Sequence, residues 1–527
     1  MRINSSLVIL DTKDQIFEKI ENCDLISFRN KNYEHKNIKK IDINLLNEKT
    51  LFNQKKKYIK KKKEYFNKIK KIFPELEMHS LEIFNLRNDK KNFYNKIFYF
   101  DLIKVIIRKN KYKHIKIFSD NKNSEKLYKS LINNNKITKI DIINTSFYEN
   151  EKKKDFYLSF INFSLKTLLT IIVSKIASRQ LNKNFKNACL SFFPIFYSHN
   201  KYENFFNQKF LKLNFLITDE THLNGTISNN IKKILSTRNI DNFIIVEKYI
   251  SFIHLILFFF RSFPILKKFY LIKKLNFHFN GLNLTDEITN YSEISIFNAL
   301  KLHIYKDQLK NIFLKHNIKN FHYYMFEYNF GFFLSNEIRK NMKKIKLVGY
   351  QHGIFSEKLM WLDLFKLSKN KFRILPDEII VKYSECLNAY KKVFKNKKIF
   401  LNKHTSKNMN IKISKQKKYR NRILVLLGLH DSQDMINKLF DICKLKKEYI
   451  FLLKFHPKSK NEFKLVNKNI KVINNINNIK FGGIILSQTS TLVYDMINDN
   501  LLFKLLKMNN KINLLTDKIQ KRVKYIN

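Results

Sequence analysis

The sequence predicts an α/β protein with parallel sheets in more than one lobe. Three observations carry that expectation. Short apolar runs alternate with lysine-rich helical stretches from residue 1 to about 150, and the same rhythm returns from about 281. At 527 residues the chain exceeds what one hydrophobic core usually serves. With 44% hydrophobic and 14% aromatic residues, it has the material to fill several cores.

Leu7 to Leu10 is the first expected strand. Its four apolar residues end at Asp11, too few for a signal peptide. Ile115 to Phe118 and Ile140 to Ile143 follow, and the N-terminal lobe is placed at 1–150. Between Asn53 and Phe73, lysines crowd around Tyr58, Ile59, Tyr65, Phe66 and Ile69 at helical intervals. Such a helix either turns its lysines to water or lies on anionic lipid, so 55–71 is one candidate membrane contact.

Residues 151–280 read as a helical, partly hydrophobic insertion, with Leu165 to Ile176 as one apolar stretch. Tyr249 to Phe260 is the most hydrophobic run, and its twelve residues are too short to span a bilayer. Arg261, Lys267, Lys268, Lys273 and Lys274 follow it, so 249–274 suits either a buried core helix or a membrane interface. Strands at Phe321 to Phe326 and Ile345 to Tyr350 place the completion of the N-terminal lobe at 281–376. Another strand is expected at Ile379 to Val381. Near Pro376 the chain passes to a C-terminal lobe, 377–527, with strands at Ile423 to Leu427, Tyr449 to Phe455, Ile470 to Ile473 and Gly483 to Leu486.

The net charge of +57 suggests a nucleic-acid or lipid partner when taken alone. Lysine is spread through nearly every segment beside abundant asparagine and isoleucine, which argues for compositional drift and against nucleic acid as the partner. Attraction to phosphates and acidic headgroups stands either way. Cys23, Cys189, Cys386 and Cys443 lie far apart, with no Cys-x-x-Cys, which points to a reducing, cytoplasmic compartment and no structural zinc. Peripheral attachment at the inner face of the cytoplasmic membrane is compatible with that.

Six of the eight glycines lie between 331 and 483, which draws attention to the second half. Tyr449-Ile-Phe-Leu-Leu-Lys-Phe-His-Pro457 is an apolar strand delivering His456 to its carboxyl end, where open α/β sheets bind ligands. A ring N–H there can donate to a phosphate, and the pattern equally suits a structural turn. Gly482-Gly-Ile-Ile-Leu-Ser-Gln-Thr-Ser-Thr491 reads as a strand, a hydroxyl-rich turn and a helix start. Ser487, Thr489, Ser490 and Thr491 can hold an anion or simply cap the helix. Lys346-Leu-Val-Gly-Tyr-Gln-His-Gly353 delivers His352 to a third strand end, with Gly349 and Gly353 expected to let the backbone approach a ligand. If the strand ending at Glu327 is its neighbour, Glu327 and His352 form either an acid/base pair or a buried polar tie.

Together these elements resemble two-lobed glycosyltransferases of the bacterial sialyltransferase and polysialyltransferase kind, and the glycerophosphotransferases that build teichoic acid. The Gln351-His352-Gly353 turn and Ser191-Phe-Phe-Pro-Ile-Phe-Tyr197 look more specifically like surface carbohydrate biosynthesis proteins of polysaccharide and O-antigen cassettes. The resemblance implies a GT-B-like fold: two Rossmann-like lobes with a central cleft and a helical insertion in the N-terminal lobe. It implies a nucleotide-sugar donor, CMP- or CDP-linked favoured, and a glycan or lipid-linked acceptor. His456, Pro457, Gly428 and the Ser487, Thr489, Ser490, Thr491 turn would hold the donor phosphate. His352 and Glu327 would be catalytic, with Gln351 and Gly353 in the acceptor-side loop. There is no Asp-x-Asp, so neither a catalytic metal nor another cofactor is called for. Two places depart from the family pattern, Gly428-Leu-His-Asp431 and the interrupted Ser-Gln-Thr-Ser-Thr turn, and leave donor identity open. The alternatives are a CDP-alditol-type glycerophosphotransferase and an inactive membrane- or polyanion-binding scaffold.

Overall fold

The structure is a computed structural model. It describes residues 5–11, 20–27, 38–41, 48–77, 93–119, 125–131, 139–144, 155–177, 181, 183–192, 210–215, 232, 235, 242–306, 308–325, 329–351, 353, 355–356, 375–402, 411, 413–428, 431–456, 467–476, 479–488, 490–507 and 515–526.

The expected α/β architecture forms, as three parallel sheets. The first contains β1 (Ser6–Asp11), β2 (Asp24–Ser27), β3 (Lys39–Lys40), β4 (His114–Ser119) and β5 (Lys139–Asn144), in the order β3-β2-β1-β4-β5. The chain then builds β6 (Asn187–Phe192), β7 (Leu211–Phe215), β8 (Phe243–Ile245) and a small antiparallel pair, β9 (His278–Phe279) with β10 (Leu282–Asn283). Next come β11 (Asn320–Met325), β12 (Lys346–Gln351), β13 (Glu378–Val381) and β14 (Lys398–Leu401). These four join β6 to β8 in a seven-stranded sheet of order β14-β13-β12-β11-β6-β7-β8. The third sheet has β15 (Arg422–Leu426), β16 (Ile450–Lys454), β17 (Ile470–Val472), β18 (Gly483–Ser487), β19 (Lys504–Leu506) and β20 (Lys524–Ile526), ordered β17-β16-β15-β18-β19-β20.

The central strands are apolar on both faces, as burial under helices on both sides requires: Leu424, Val425 and Leu426 of β15 are all buried. In each sheet the chain starts at an inner strand, builds outward, returns beside its start and builds the other way. That is Rossmann-like order, with a switch point between β1 and β4, between β6 and β11, and between β15 and β18.

The strands expected in 281–376 do not complete the first sheet. β11 pairs with β6 through Asn320↔Asn187 and His322↔Cys189, and β13 and β14, beyond Pro376, remain in that second sheet. The stretch 151–280 therefore holds β6 to β8 as well as its apolar helices. Asn187-Ala-Cys-Leu-Ser-Phe192 is a weak strand pattern lying between two far more hydrophobic helices, which dominate the periodicity there.

The lysine-rich helix forms over Glu48–Ile72. Tyr58, Ile59, Tyr65, Phe66 and Ile69 are buried in the core shared with the first two sheets, so only its polar face remains for water or lipid headgroups. Lys62 is an exception on that helix. It is buried, with Nζ 5.5 Å from the Tyr58 ring and 5.8 Å from the Phe66 ring, and burial pulls its ammonium down to about 7. The folded state then binds fewer protons than the unfolded chain between about 7 and the ordinary 10.5, so stability rises with pH across that window. Lys62→Met is expected to raise the thermal midpoint at neutral pH and to flatten its rise toward alkaline pH. Unfolding curves of both proteins across that window check it.

Candidate functional site

Three adjacent strands of the third sheet end side by side. Leu426 of β15 is in register with Lys454 of β16 on one flank and Leu486 of β18 on the other. Two residues beyond those partners lie Gly428, His456 and Gln488, so all three segments leave the sheet at its carboxyl edge. At about 4.8 Å per strand, the outer two tips are about 10 Å apart. This edge is the switch point between β15 and β18, the kind of place at which open α/β sheets bind ligands.

The inner tips are tied together. Ser487 and Asp431 are both buried, and the Ser487 hydroxyl donates to Asp431 Oδ2. Asp431 also starts the helix Ser432–Leu445, its carbonyl accepting from the Met435 N–H. This explains Gly428-Leu-His-Asp431: a Cβ at 428 would stand 2.1 Å from Asp431 Oδ1, so only glycine leaves room for the carboxylate. Gly349 has a different cause from the one expected. A Cβ there would lie 2.6 Å from Met325 Cγ and 2.8 Å from Pro376 Cγ, so that glycine serves packing between neighbours and not approach to a ligand.

The hydroxyl turn is partly self-satisfied. The Ser490 N–H bonds the Ser487 carbonyl at 3.0 Å, and Ser490 Oγ accepts from the Leu492 N–H at 3.3 Å. Thr491 is exposed and makes no side-chain cap. The helix that follows, Leu492–Asn498, has seven residues, and Asp495 sits in its first turn. Its dipole is accordingly small, and hydroxyl and backbone donors are what this turn offers an anion. Thr489 and Pro457 lie outside the described residues.

On the second sheet, β11 and β12 are neighbours with Met325 opposite Gln351, which meets the condition for the segments carrying Glu327 and His352 to leave from adjacent strands. Glu327 and His352 themselves lie outside the described residues. Gln351 is buried. Its Oε1 accepts from the Lys382 N–H at 3.0 Å and the Tyr383 N–H at 3.4 Å, and its Nε2 donates to the Gly353 carbonyl at 2.8 Å. It thus locks the chain after β12 to the chain after β13.

A link to the third sheet starts at the same place. Lys382 Nζ pairs with Asp495 Oδ1 at 2.8 Å, and the Tyr383 ring stacks on Tyr494 with centroids 5.0 Å apart. Burial, with Asp495 adding to it, pushes the Tyr383 phenol far up, so it stays protonated. Val381, Tyr383, Leu424, Leu486 and Tyr494 share one core. The carboxyl edge of the second sheet is therefore held against the helix that follows the hydroxyl turn.

Of the residues singled out in the sequence, Gly428, His456 and Ser487 gather at one sheet edge, with Ser490 and Thr491 just beyond. Gln351 and Gly353 are linked to that region through Lys382 and Asp495. Asp431, Lys382 and Asp495 were not anticipated. Asp431 had a signal in the glycine three residues before it; Lys382 and Asp495 had none. The four cysteines are buried and form no disulfide, and burial pushes the thiols of Cys23, Cys386 and Cys443 up to about 11.

No family model matches the chain, and no curated protein matches it. Solved structures with detectable likeness include the glycotransferase of kitacinnamycin, at 10% identity and a TM-score of 0.37 over 66% of this chain and 87% of that one. The glycosyltransferase SnogD from Streptomyces nogalater gives 12% and 0.26, over 42% and 69%. Arabidopsis thaliana UGT89C1 complexed with UDP-L-rhamnose gives 9% and 0.34, over 65% and 85%. At these identities and scores the likeness does not reach activity, substrate or site residues.

Proposed function

We propose that this chain is a glycosyltransferase-like enzyme of surface polysaccharide biosynthesis that moves a sugar from a nucleotide-activated donor to a glycan or lipid-linked acceptor. The observation that carries the proposal is the switch point of the third sheet. There Gly428, His456 and the Ser487 turn leave adjacent strand ends, next to a helix pinned to the carboxyl edge of a second Rossmann-like sheet. Open α/β sheets bind nucleotides at such points, and a transferase needs a second surface close by for its acceptor.

In this proposal His456 and the hydroxyl turn donate hydrogen bonds to the donor's phosphate as negative charge builds on the leaving group. His352, supported by Glu327, removes the proton from the acceptor hydroxyl. Lysines on the surrounding surface favour approach of the anionic donor.

A thermal-shift screen of CMP, CDP, UDP and GDP against the wild type and His456→Ala tests the donor site. One nucleotide is expected to raise the midpoint of the wild type, as a ligand specific to the native state must, and to lose most of that effect in the variant. A response equal in both proteins, or none to any of the four, counts against the site.

A further inference from the structure

The helices Phe156–Ala177 and Phe252–Lys267 pack side by side. Tyr157 meets Phe263 at 6.3 Å, Phe160 meets Phe259 at 5.6 Å, and Lys175 Nζ lies 4.2 Å from the Phe252 ring, so the two run antiparallel. Phe160, Phe163, Ile171, Leu255, Phe258 and Ile265 face the main core.

The opposite face should be polar in a helix surrounded by water, and it is not. On the first helix, positions 158, 161, 165, 169, 172 and 176 are all Leu or Ile, and all are exposed at spacings of three and four. Leu158 is 58% exposed and Ile176 77%. Beside them on the second helix are Ile253 at 72%, Ile256 and Phe260 at 68%. This is one continuous apolar strip about 27 Å long. Contiguous exposed apolar surface of that extent marks an interaction site. Exposed Lys166, Lys175, Arg261 and Lys267 flank it on the same two helices.

We propose that this two-helix face seats the protein in the surface of an anionic lipid bilayer, with both helices parallel to the membrane plane. Charge complementarity selects the occupant: leucine, isoleucine and phenylalanine enter the acyl boundary while the flanking cations reach the headgroups. The first helix is long and apolar enough to cross a membrane, but its inner face is committed to the protein core. Its partner has sixteen residues and carries Arg261, so the pair lies on the membrane and does not span it. The strip thus includes a helix not expected to touch lipid. The 55–71 segment, whose apolar residues are buried, contributes at most its lysines. This inference is independent of the transferase proposal.

Flotation of the full-length protein with vesicles tests it. Binding is expected to vesicles of equimolar phosphatidylglycerol and phosphatidylcholine, to weaken with salt, and to be much lower on phosphatidylcholine alone. Leu165→Glu combined with Ile256→Glu changes two exposed side chains at mid-strip and is expected to lower partitioning at least about tenfold, with circular dichroism and nucleotide thermal shifts unchanged. Undiminished binding by the double variant would overturn the proposal, as would equal binding to neutral vesicles. So would a wild-type dimer that the variant converts to monomer while vesicle binding persists, because the strip would then belong to a second copy. Membrane-bound protein that resists alkaline carbonate would show a spanning helix instead.

Discussion

Asp431→Ala is expected to abolish the nucleotide-induced thermal shift and to lower the thermal midpoint of the free protein. The carboxylate accepts from the Ser487 hydroxyl in a place where neither group reaches water. Removing it leaves a buried donor without its partner, at a cost of about 1–3 kcal/mol. It also frees Ser487, the last residue of β18, to rotate, and the turn proposed to hold phosphate begins there. Asp431→Asn keeps an acceptor oxygen and is expected to fall between the two. Gly428→Ala tests the same contact from the other side. Its Cβ would sit 2.1 Å from Asp431 Oδ1 and must drive the carboxylate away, so it should reproduce the loss of nucleotide response without touching any polar group. A full response in Asp431→Ala would separate this buried pair from donor binding and leave it a purely structural tie.

Asp431 also shows what the sequence could and could not tell. The parallel strands were legible because burial on both faces makes them short, unbroken apolar runs: Ile423 to Leu427, Phe321 to Phe326 and Leu7 to Leu10 all form strands within a residue or two of those bounds. Strand order was not legible. That β15 lies between β16 and β18 depends on pairings between distant segments, and hydrophobic periodicity carries no such information. The same gap hid the membership of β11 and β12, which look alike whichever sheet they join. Glycine scarcity pointed to the correct region but to mixed causes. Gly428 makes room for a carboxylate at the site, whereas Gly349 makes room for Met325 and Pro376. Among the described glycines, positive φ occurs at Gly281, far from the site in sequence. Lys382 could not be found because one ion-paired lysine among 101 basic residues has no signature of its own. Its role follows from standing one residue past β13 with Asp495 within reach.

Gln351→Leu is expected to cut turnover by two orders of magnitude or more while donor binding survives. The substitution keeps the side-chain volume but removes three hydrogen bonds, leaving the N–H groups of Lys382 and Tyr383 and the Gly353 carbonyl to find other partners. Gly353 follows His352 directly, and Lys382 and Tyr383 hold Asp495 and Tyr494. One side chain therefore fixes the loop proposed to lie on the acceptor side and the junction between the two sheets, and misplacing a reacting group by about 1 Å costs about a hundredfold in rate. The donor turn itself remains intact, so the loss should fall on kcat for nucleotide release from the donor and spare its KM. Gln351→Glu retains both acceptor contacts to the 382 and 383 N–H groups and should recover part of the rate. Lys382→Met breaks the ion pair with Asp495 without disturbing Gln351, and a fall in kcat there too would show that the junction matters beyond the loop. If Gln351→Leu lowers the thermal midpoint yet turns over at the wild-type rate, Gln351 is a fold-stabilising residue, and the position of the acceptor-side loop is set by something else.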